Sequence, residues 1–384
     1  KLINERVGSW RHFKQRLLDE DISATERNKI TNILTRGLTI QWCKGNADKA
    51  ESSFFNINMQ GTPLDEVEEL LLKNRHKPTS ISARAVIRAG KGHRYWSAFS
   101  QDYSDKIEKA AKKLHTILFD PDLNTPVKTL DLPLGGARGV RVAIQLLIDF
   151  ILIANRDQQG NPKSLDKQDD DEFGATTIQS LTNAIKLAEV ITGNGDGSLG
   201  LHPAVYFYGP TGRHTSPMFL GTSALIAEKI NNNDKGFFKK FTAVRSDLES
   251  ILVKDKELIS MIIQKNSHRA RDLKYKEFLD NLIKRLELSD EISEVELIQL
   301  AGLQGKIVAG DLAAKSKKFS DDQKSKIFIN AALFSAIKCP ICKGYLDATK
   351  SVSYDHVIRV REGGVGHSDN GQLTHPYCNQ AIKN

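Results

Sequence analysis

The residues best equipped for chemistry fall within positions 339–384, which hold three of the chain's four cysteines. Cys339-Pro-Ile-Cys342 and His375-Pro-Tyr-Cys378 form two knuckles with 32 residues between them. Each knuckle turns a pair of soft or borderline donors toward one point. Together they supply the four ligands of a closed tetrahedral zinc, with no open position for catalysis. Cysteines clustered with histidine point to a metal site in a reducing compartment, not to a disulfide framework. Between and beyond the knuckles lies a different set: Asp355-His356, Arg359, Arg361, Gly363-Gly364, His367, Asn370 and Asn379. A histidine beside a carboxylate can act as general base on a water. Hard oxygen donors from Asp and Asn suit magnesium or a similar cation held against a phosphate. Arginines nearby can grip the phosphate itself.

The ordered series CxxC, DH, GG, N and knuckle-plus-Asn resembles the HNH nuclease family, whose ββα-metal fold is two strands and a helix around one divalent cation. The resemblance covers about an eighth of the chain. It implies His356 as general base, Asp355 and Asn379 as ligands of a catalytic Mg or Mn, and Asn370 as the residue that ties the connecting loop. It also implies a structural Zn on Cys339, Cys342, His375 and Cys378, with Arg359, Arg361 and His367 on DNA. Two positions depart from the pattern. Arg359 stands where many members have proline, and His375 replaces the usual cysteine of the last knuckle, although histidine is an accepted zinc ligand.

A second resemblance is carried by FFNINMQGTPLDEVEELL, which is similar to the F-x-x-I-N-x-x-G-x-x-L-x-x-x-E segment of the ParB-like domain in GmrSD-type restriction and phage-defence proteins. Those proteins often end in an HNH nuclease. The upstream D-G-Q-x-R signature associated with nucleotide use is absent from this sequence, so the architecture is expected and the nucleotide activity is not. The implied substrate is phage or other foreign DNA. A non-catalytic zinc-containing DNA-binding or sensor protein is the competing expectation.

The elements that must position these residues read mainly as helices. The segment to about Gly45 has apolar residues at helical spacing (Ile30, Ile33, Leu34, Leu38, Ile40), with Ser23 and Thr25 as caps and Cys43 as core. A strand or loop through Phe54 to Asn58 should turn at Gly61 into a helix capped by Thr62, with Pro63 at its first position and acidic residues from Asp65 onward at its positive end. From Pro78, basic residues Arg84, Arg88, Lys91, His93 and Arg94 stand beside Tyr95 and Trp96, which reads either as a nucleic-acid contact or as a helix with one charged face. No P-loop spacing occurs. LGGARG at 134–139 leads into an apolar helix from Val140 to Asn155, and 157–174 reads as a polar linker or exposed loop.

A helix over 175–191 precedes the glycine-rich TGNGDGSLG. Alternation through Ala204 to Tyr208 then predicts a strand flanked by His202, Arg213 and His214, which read as a polar site or as satisfied histidines. Helices follow near 216–230, 237–264, 273–288 and 291–303, the last capped by Ser289. One more starts at Ser320 and ends near Ile337.

At 384 residues the chain exceeds one typical core. Expected domains are 1–130 (ParB-like), 131–319 (mainly helical) and 320–384 (the nuclease module), in an α+β class. Forty per cent apolar and 27% charged residues exclude a disordered or membrane chain, and no secretion leader follows Lys1, which leaves a cytoplasmic protein with no membrane partner. The missing methionine suggests sequence upstream. Assembly is expected as a homo-oligomer or with a defence-system partner. The net charge is +8, and residues 235–285 hold thirteen Lys/Arg against seven Asp/Glu. That excess suits either a polyanion or a solvated helix face.

Overall fold

The computed structural model describes residues 9–35, 65–91, 96–138, 140–156, 163–289, 291–307 and 318–383. The chain divides into two compact units, 1–65 and 66–384. In the first, α1 (Trp10–Arg16) and α2 (Ala24–Thr35) are described. Ser9 and Ser23 accept hydrogen bonds from the backbone N–H groups of His12 and Glu26 at 3.2 and 3.1 Å, each satisfying an orphan donor at a helix start. The readings at Cys43, Phe54 to Asn58, Thr62 and Pro63 lie outside the described residues, as do His93, Arg94 and Tyr95.

The second unit begins with α3 (Glu66–Lys73) and is built around α4 (Pro78–Ile87), of which every residue from Pro78 to Val86 is buried. Around it pack α5 (Gln101–Phe119), α6 (Val140–Ala154) and α7 (Ala175–Ile191). Ser80, Ser82, Ala83 and Ala85 are small enough for neighbours to close on all sides, which corrects the expectation of a charged face. Arg84 is interior, and Trp96 is fully buried with its indole N–H on Glu108 at 3.2 Å. Arg84 and Trp96 therefore build core, while Arg88 and Lys91 are exposed.

Over its described part 157–174 is mostly exposed, a loop tied to the body at a few points and not a free linker. Asp171 is buried and accepts from the N–H groups of Gly174 and Thr177 at 2.8 and 2.7 Å, so it caps the start of α7 from a distance.

The strand expected at 204–208 is a short helix, α8 (Pro203–Tyr206), followed by a single bridge between Tyr208 and His214. Pro203 at the first helical position and His202, whose Nδ1 accepts from Ala204 N–H at 3.2 Å, favour the turn over the extended form. His214 donates through Nε2–H to Leu134 O at 2.7 Å, as a satisfied ring. Burial lowers both imidazoles from 6.5 to about 4.

Next come α9 (Ser216–Asn231), α10 (Lys235–Ala243), α11 (Arg245–Lys254), α12 (Lys256–Lys265) and α13 (Arg271–Leu286). The single helix expected over 237–264 is thus three, broken at Val244 and Asp255. Lys256 at the second break is buried and donates to the carbonyls of Ala204 and Tyr208, capping α8. Helix α14 (Glu294–Leu300) starts at Ser293, not Ser289, because Ser293 and Glu296 form a reciprocal capping box. Among the described residues no helix is long and apolar enough to cross a membrane.

About half of the basic residues in 235–285 are paired in place, while Lys235, Lys239, Lys254, Lys265 and Arg269 are exposed. Lys240 pairs with Glu287, Lys274 with Glu277, Lys276 with Glu228, Lys284 with Asp280 and Arg285 with Glu296.

Helix α15 (Asp321–Phe334) opens with the expected Ser320, in a capping box with Gln323, and ends three residues early. Its Ser325 hydroxyl accepts from Val127 N–H at 3.0 Å. The expected boundaries at 130/131 and 319/320 therefore do not coincide with breaks in packing: α4 and α5 share a core with α6, α7 and α9, and α15 joins it through Ile329 and Leu333. After α15 comes the first knuckle, then an antiparallel pair, β1 (Ser353–His356) and β2 (Gly371–Thr374), with Asp355 opposite Gln372 and His356 opposite Gly371. A π-helical turn, Cys378–Lys383, closes the described chain. The fold is α+β, mainly helical with one small sheet.

A buried ion pair holds the C-terminal segment to the helices. Arg245, 1% exposed, donates to Glu249 at 2.7 Å and to the carbonyls of Leu199 and Gly200 at 2.6 and 3.0 Å. Glu249 also accepts from Tyr206 at 2.9 Å and from the backbone N–H of Tyr345 at 2.6 Å. Gly344 lies so close that a Cβ there would sit 2.6 Å from the guanidinium.

Two predictions follow from this interior. Arg245→Met leaves Glu249 buried without its cation and is expected to cost about 3–5 kcal/mol in denaturant unfolding; a cost under about 1 kcal/mol would show that the pair holds nothing. His202 and His214 are folded in the neutral form, with folded pKa values below the unfolded 6.5. The unfolded chain therefore takes up more protons, and stability should fall as pH drops from about 6.5 toward about 4. Unfolding curves across that range check it, a flat profile being the contrary result.

Candidate functional site

The first knuckle is a tight reversal: Lys338 bridges to Tyr345, Cys339 N–H donates to Gly344 O at 2.9 Å, and Lys343 N–H donates to Cys339 O at 2.8 Å. Lys343 takes a positive φ of 59° to complete it. The second knuckle leaves β2 and enters the π-helical turn. The two bring the side-chain donors of Cys339, Cys342, His375 and Cys378 within 4.8 Å of one another, all four buried. Cys342 Sγ and Cys378 Sγ stand 3.3 and 3.8 Å from His375 Nδ1. The other ring nitrogen, Nε2, is 3.0 Å from the carbonyl of Tyr345, so it carries the proton and leaves the Nδ1 lone pair facing the sulfurs.

Burial holds the His375 imidazole below its ordinary pKa, with Arg245 adding to the effect. Hydrogen bonds from Cys342 and Cys378 hold Cys339 well below the thiol range, while hydrogen bonding to Cys339 pushes Cys342 up to about 11 and drives Cys378 up as well. Three buried sulfurs that face one another beside a neutral imidazole fit a metal such as zinc. Leu346, Ile341 and Leu373 seal it.

This closed cluster also anchors the C-terminal segment. Tyr377 N–H donates to Ser198 O at 3.0 Å, Val352 N–H to Asn194 Oδ1 at 3.0 Å, and Ser198 and Ser351 share a hydroxyl contact of 3.2 Å. Gly200, at φ +56°, passes so close that a Cβ would meet Ser351 Oγ at 2.8 Å and His375 Cδ2 at 2.9 Å. The glycine-rich TGNGDGSLG is therefore a seat for the knuckles. Lys350 adds a pair with Asp131 at 3.1 Å.

On the other side of the hairpin, Tyr354, Asp355, His356, Arg359, Val360, Arg361, Asn379 and Gln380 line an open depression of about 360 Å³. Asp355, 8% exposed, accepts at Oδ2 from Gln372 at 2.8 Å and from Lys383 at 2.7 Å. Asn379 donates through Nδ2 to Ser353 Oγ at 2.8 Å, which leaves its amide oxygen as the remaining acceptor. His356 is half-buried at the end of β1, and among the described residues nothing hydrogen-bonds its ring nitrogens. The guanidinium of Arg359 reaches the Lys383 carbonyl and lies 3.8 Å from Glu362. Arg361 is exposed.

Asn370 does not line the depression. It donates through Nδ2 to the carbonyls of Ile358 and Val365 at 3.1 and 3.0 Å and accepts at Oδ1 from Ile358 N–H at 2.7 Å. It therefore pins both limbs of the loop between the strands. Gly364 passes directly under Ile358 O, where a Cβ would lie 1.9 Å from that oxygen. His367 is on the same loop, exposed and 3.4 Å from Asp369, and does not line the depression.

Of the residues singled out from sequence, the structure thus gathers four into the thiol–imidazole cluster and five (Asp355, His356, Arg359, Arg361, Asn379) around the depression. Gln372, Lys383, Tyr354 and Gln380 were not singled out. Lys383 could have been found, since it lies four residues after Asn379 in a helical stretch; Gln372 could not, because it faces Asp355 only through the hairpin register.

Comparison of the chain with protein-family models, curated proteins and solved structures returns no match.

The cluster is expected to bind one zinc per chain, measured by elemental analysis, and Cys378→Ser should abolish it. Stripping that metal should also loosen the seat on the glycine-rich loop, read as faster amide exchange at Tyr377 and Val352. Full-strength protection in metal-free protein would contradict the role given to the cluster.

Proposed function

We propose that residues 339–384 form a metal-dependent HNH-type endonuclease module that hydrolyses DNA phosphodiester bonds, carried by a helical body. The observation that carries this reading is the convergence of Asp355, His356 and Asn379 with two arginines on one open depression. A hairpin followed by a helical turn, with a tying asparagine between the strands, further supports it.

The proposed chemistry follows from the positions. The ring nitrogens of His356 are free to take a proton from a water attacking phosphorus. Asp355 and Asn379, which both line the depression, offer the oxygen donors that would hold Mg or Mn. Few protein ligands are needed, because magnesium keeps several waters and takes the rest from phosphate. When bound, that ion would neutralise the developing charge on the phosphate oxygens. Arg359 and Arg361 hold the phosphate against the site and orient it. His367, on the exposed loop, is a DNA contact outside the depression. The buried thiol cluster takes no part in hydrolysis in this scheme and keeps the hairpin at a fixed angle to the body.

The biological role proposed is restriction of phage or other foreign DNA, resting on the resemblance of the FFNINMQG segment and of the module. A second reading, a non-catalytic zinc-containing DNA-binding or sensor protein, is favoured by one observation: among the described residues, no His/Cys/Asp/Glu group of three or more could hold a metal besides the thiol cluster.

Plasmid cleavage separates the two. With Mg or Mn the parent protein should cut, EDTA should stop it reversibly, and His356→Ala should lower the rate by about 10²–10⁴-fold while zinc content is retained. Salt-sensitive DNA binding with no cutting under any divalent ion would establish the second reading.

A further inference from the structure

The contacts behind the depression assign a role to a residue outside the HNH pattern. Both hydrogen bonds to the Asp355 carboxylate fall on the same oxygen: Oδ2 accepts from Gln372 Nε2 at 2.8 Å and from Lys383 Nζ at 2.7 Å. Among the described residues no donor reaches Oδ1. Lys383 does not line the depression and its side chain is 14% exposed, so its ammonium presses on the carboxylate from behind. A second donor of that ammonium reaches the carbonyl of His356. The Lys383 backbone is held in turn by Arg359, whose guanidinium donates to its carbonyl.

We infer that Lys383, with Gln372, is a positioning clamp that locks Oδ2 of Asp355 and presents Oδ1 to a divalent cation in the depression. The inference rests on the nuclease reading of Asp355. An ionised carboxylate has about four lone-pair sites, two on each oxygen. With those of Oδ2 taken by two donors, the carboxylate, already buried, cannot rotate without breaking a charge-assisted bond. What remains free is one oxygen with one orientation, shared with the depression that His356 and the amide of Asn379 also line. Because Lys383 also binds the His356 carbonyl, the same ammonium fixes the end of β1 where the proposed base is attached. The clamp therefore ties ligand and base to one point, and Arg359 ties the phosphate-gripping side to that point as well. Outer partners of this kind govern how well a ligand is aimed, and their loss commonly weakens metal binding by about 10–100-fold.

The opposite sign is the rival. If the Lys383 ammonium instead competes with the metal for the carboxylate, removing it should tighten binding.

Calorimetric titration of Mn²⁺ into the zinc-loaded full chain distinguishes these without reference to cutting. Lys383→Met should weaken binding at the depression by about 10–100-fold, with zinc content near that of the parent and a lower thermal midpoint, because the buried Asp355 loses its cation. Lys383→Arg, which keeps a cationic donor, should recover part of the loss. Gln372→Ala, at a half-buried strand position, removes the other donor to Oδ2 and should weaken binding in the same direction; it carries the test if Lys383→Met does not fold. Tighter Mn²⁺ binding in Lys383→Met overturns the clamp in favour of competition. Parent-like affinity in both variants, with or without a drop in thermal midpoint, overturns it in favour of a purely structural ion pair. If the parent protein itself neither binds Mn²⁺ at the depression nor cuts DNA, the nuclease reading fails and the clamp with it. A parent that binds and cuts while both variants match it sinks the clamp alone.

Discussion

The C-terminal segment depends on a chain of buried hydrogen bonds that begins at Arg245 and ends at the thiol cluster. Arg245 charges Glu249; one Glu249 oxygen takes the Tyr345 N–H; the Tyr345 carbonyl takes the ring N–H of His375; and the opposite ring nitrogen faces the cysteines. Each link is satisfied by the next, which is the condition under which buried polar groups are tolerated at all. The chain makes the metal-ligand geometry a property of helix α11 as much as of the knuckles. It also explains why glycine is needed at 344 and 200, where the polar chain leaves no room for a side chain.

On either side of this chain the molecule solves two different electrostatic problems. The thiol cluster is sealed by Ile341, Leu346 and Leu373, and its donors point inward to a common centre. Such a site is suited to a cation that never exchanges. The depression by Asp355 is open and lined mainly by polar groups, and its carboxylate is held from behind by Gln372 and Lys383. A site of that kind suits a transient ion and a bound phosphate. The hairpin separates them: Leu373 leans on the thiols, while Asp355 and His356, near the other end of β1, line the depression.

Part of the positive charge of the helical body is held in internal pairs. Lys240, Lys274, Lys276, Lys284 and Arg285 spend their charge on neighbouring carboxylates, and Lys256 is buried on backbone carbonyls, where loss of solvation pushes its ammonium down to about 7. Exposed ion pairs of this sort add little stability each, and Lys235, Lys239, Lys254, Lys265 and Arg269 stay exposed beside them. In the C-terminal segment the charge is arranged otherwise, with Arg361 exposed at the rim of the depression and Arg359 lining it.

Short-range patterns were legible in the sequence because the physics behind them is local. The CxxC and HxxC spacings, the Ser320 cap and the helix over 175–191 all depend on residues within a few turns of one another, whereas the tying position of Asn370 comes from the family resemblance. Where longer-range packing decides, local signals misled or were silent. The alternation at 204–208 reads as a strand, yet burial and Lys256, some fifty residues away, hold a short helix there. Arg84 reads as part of a charged face, yet the small residues of α4 let three helices close over it. The sequence alone determined which atoms could ligate, cap or accept a proton. The tertiary structure decided which of them meet, because pairs such as Glu249 with Tyr345 or Asp355 with Lys383 are brought together only by the packing of elements distant along the chain, and a distance in space leaves no fixed spacing in sequence.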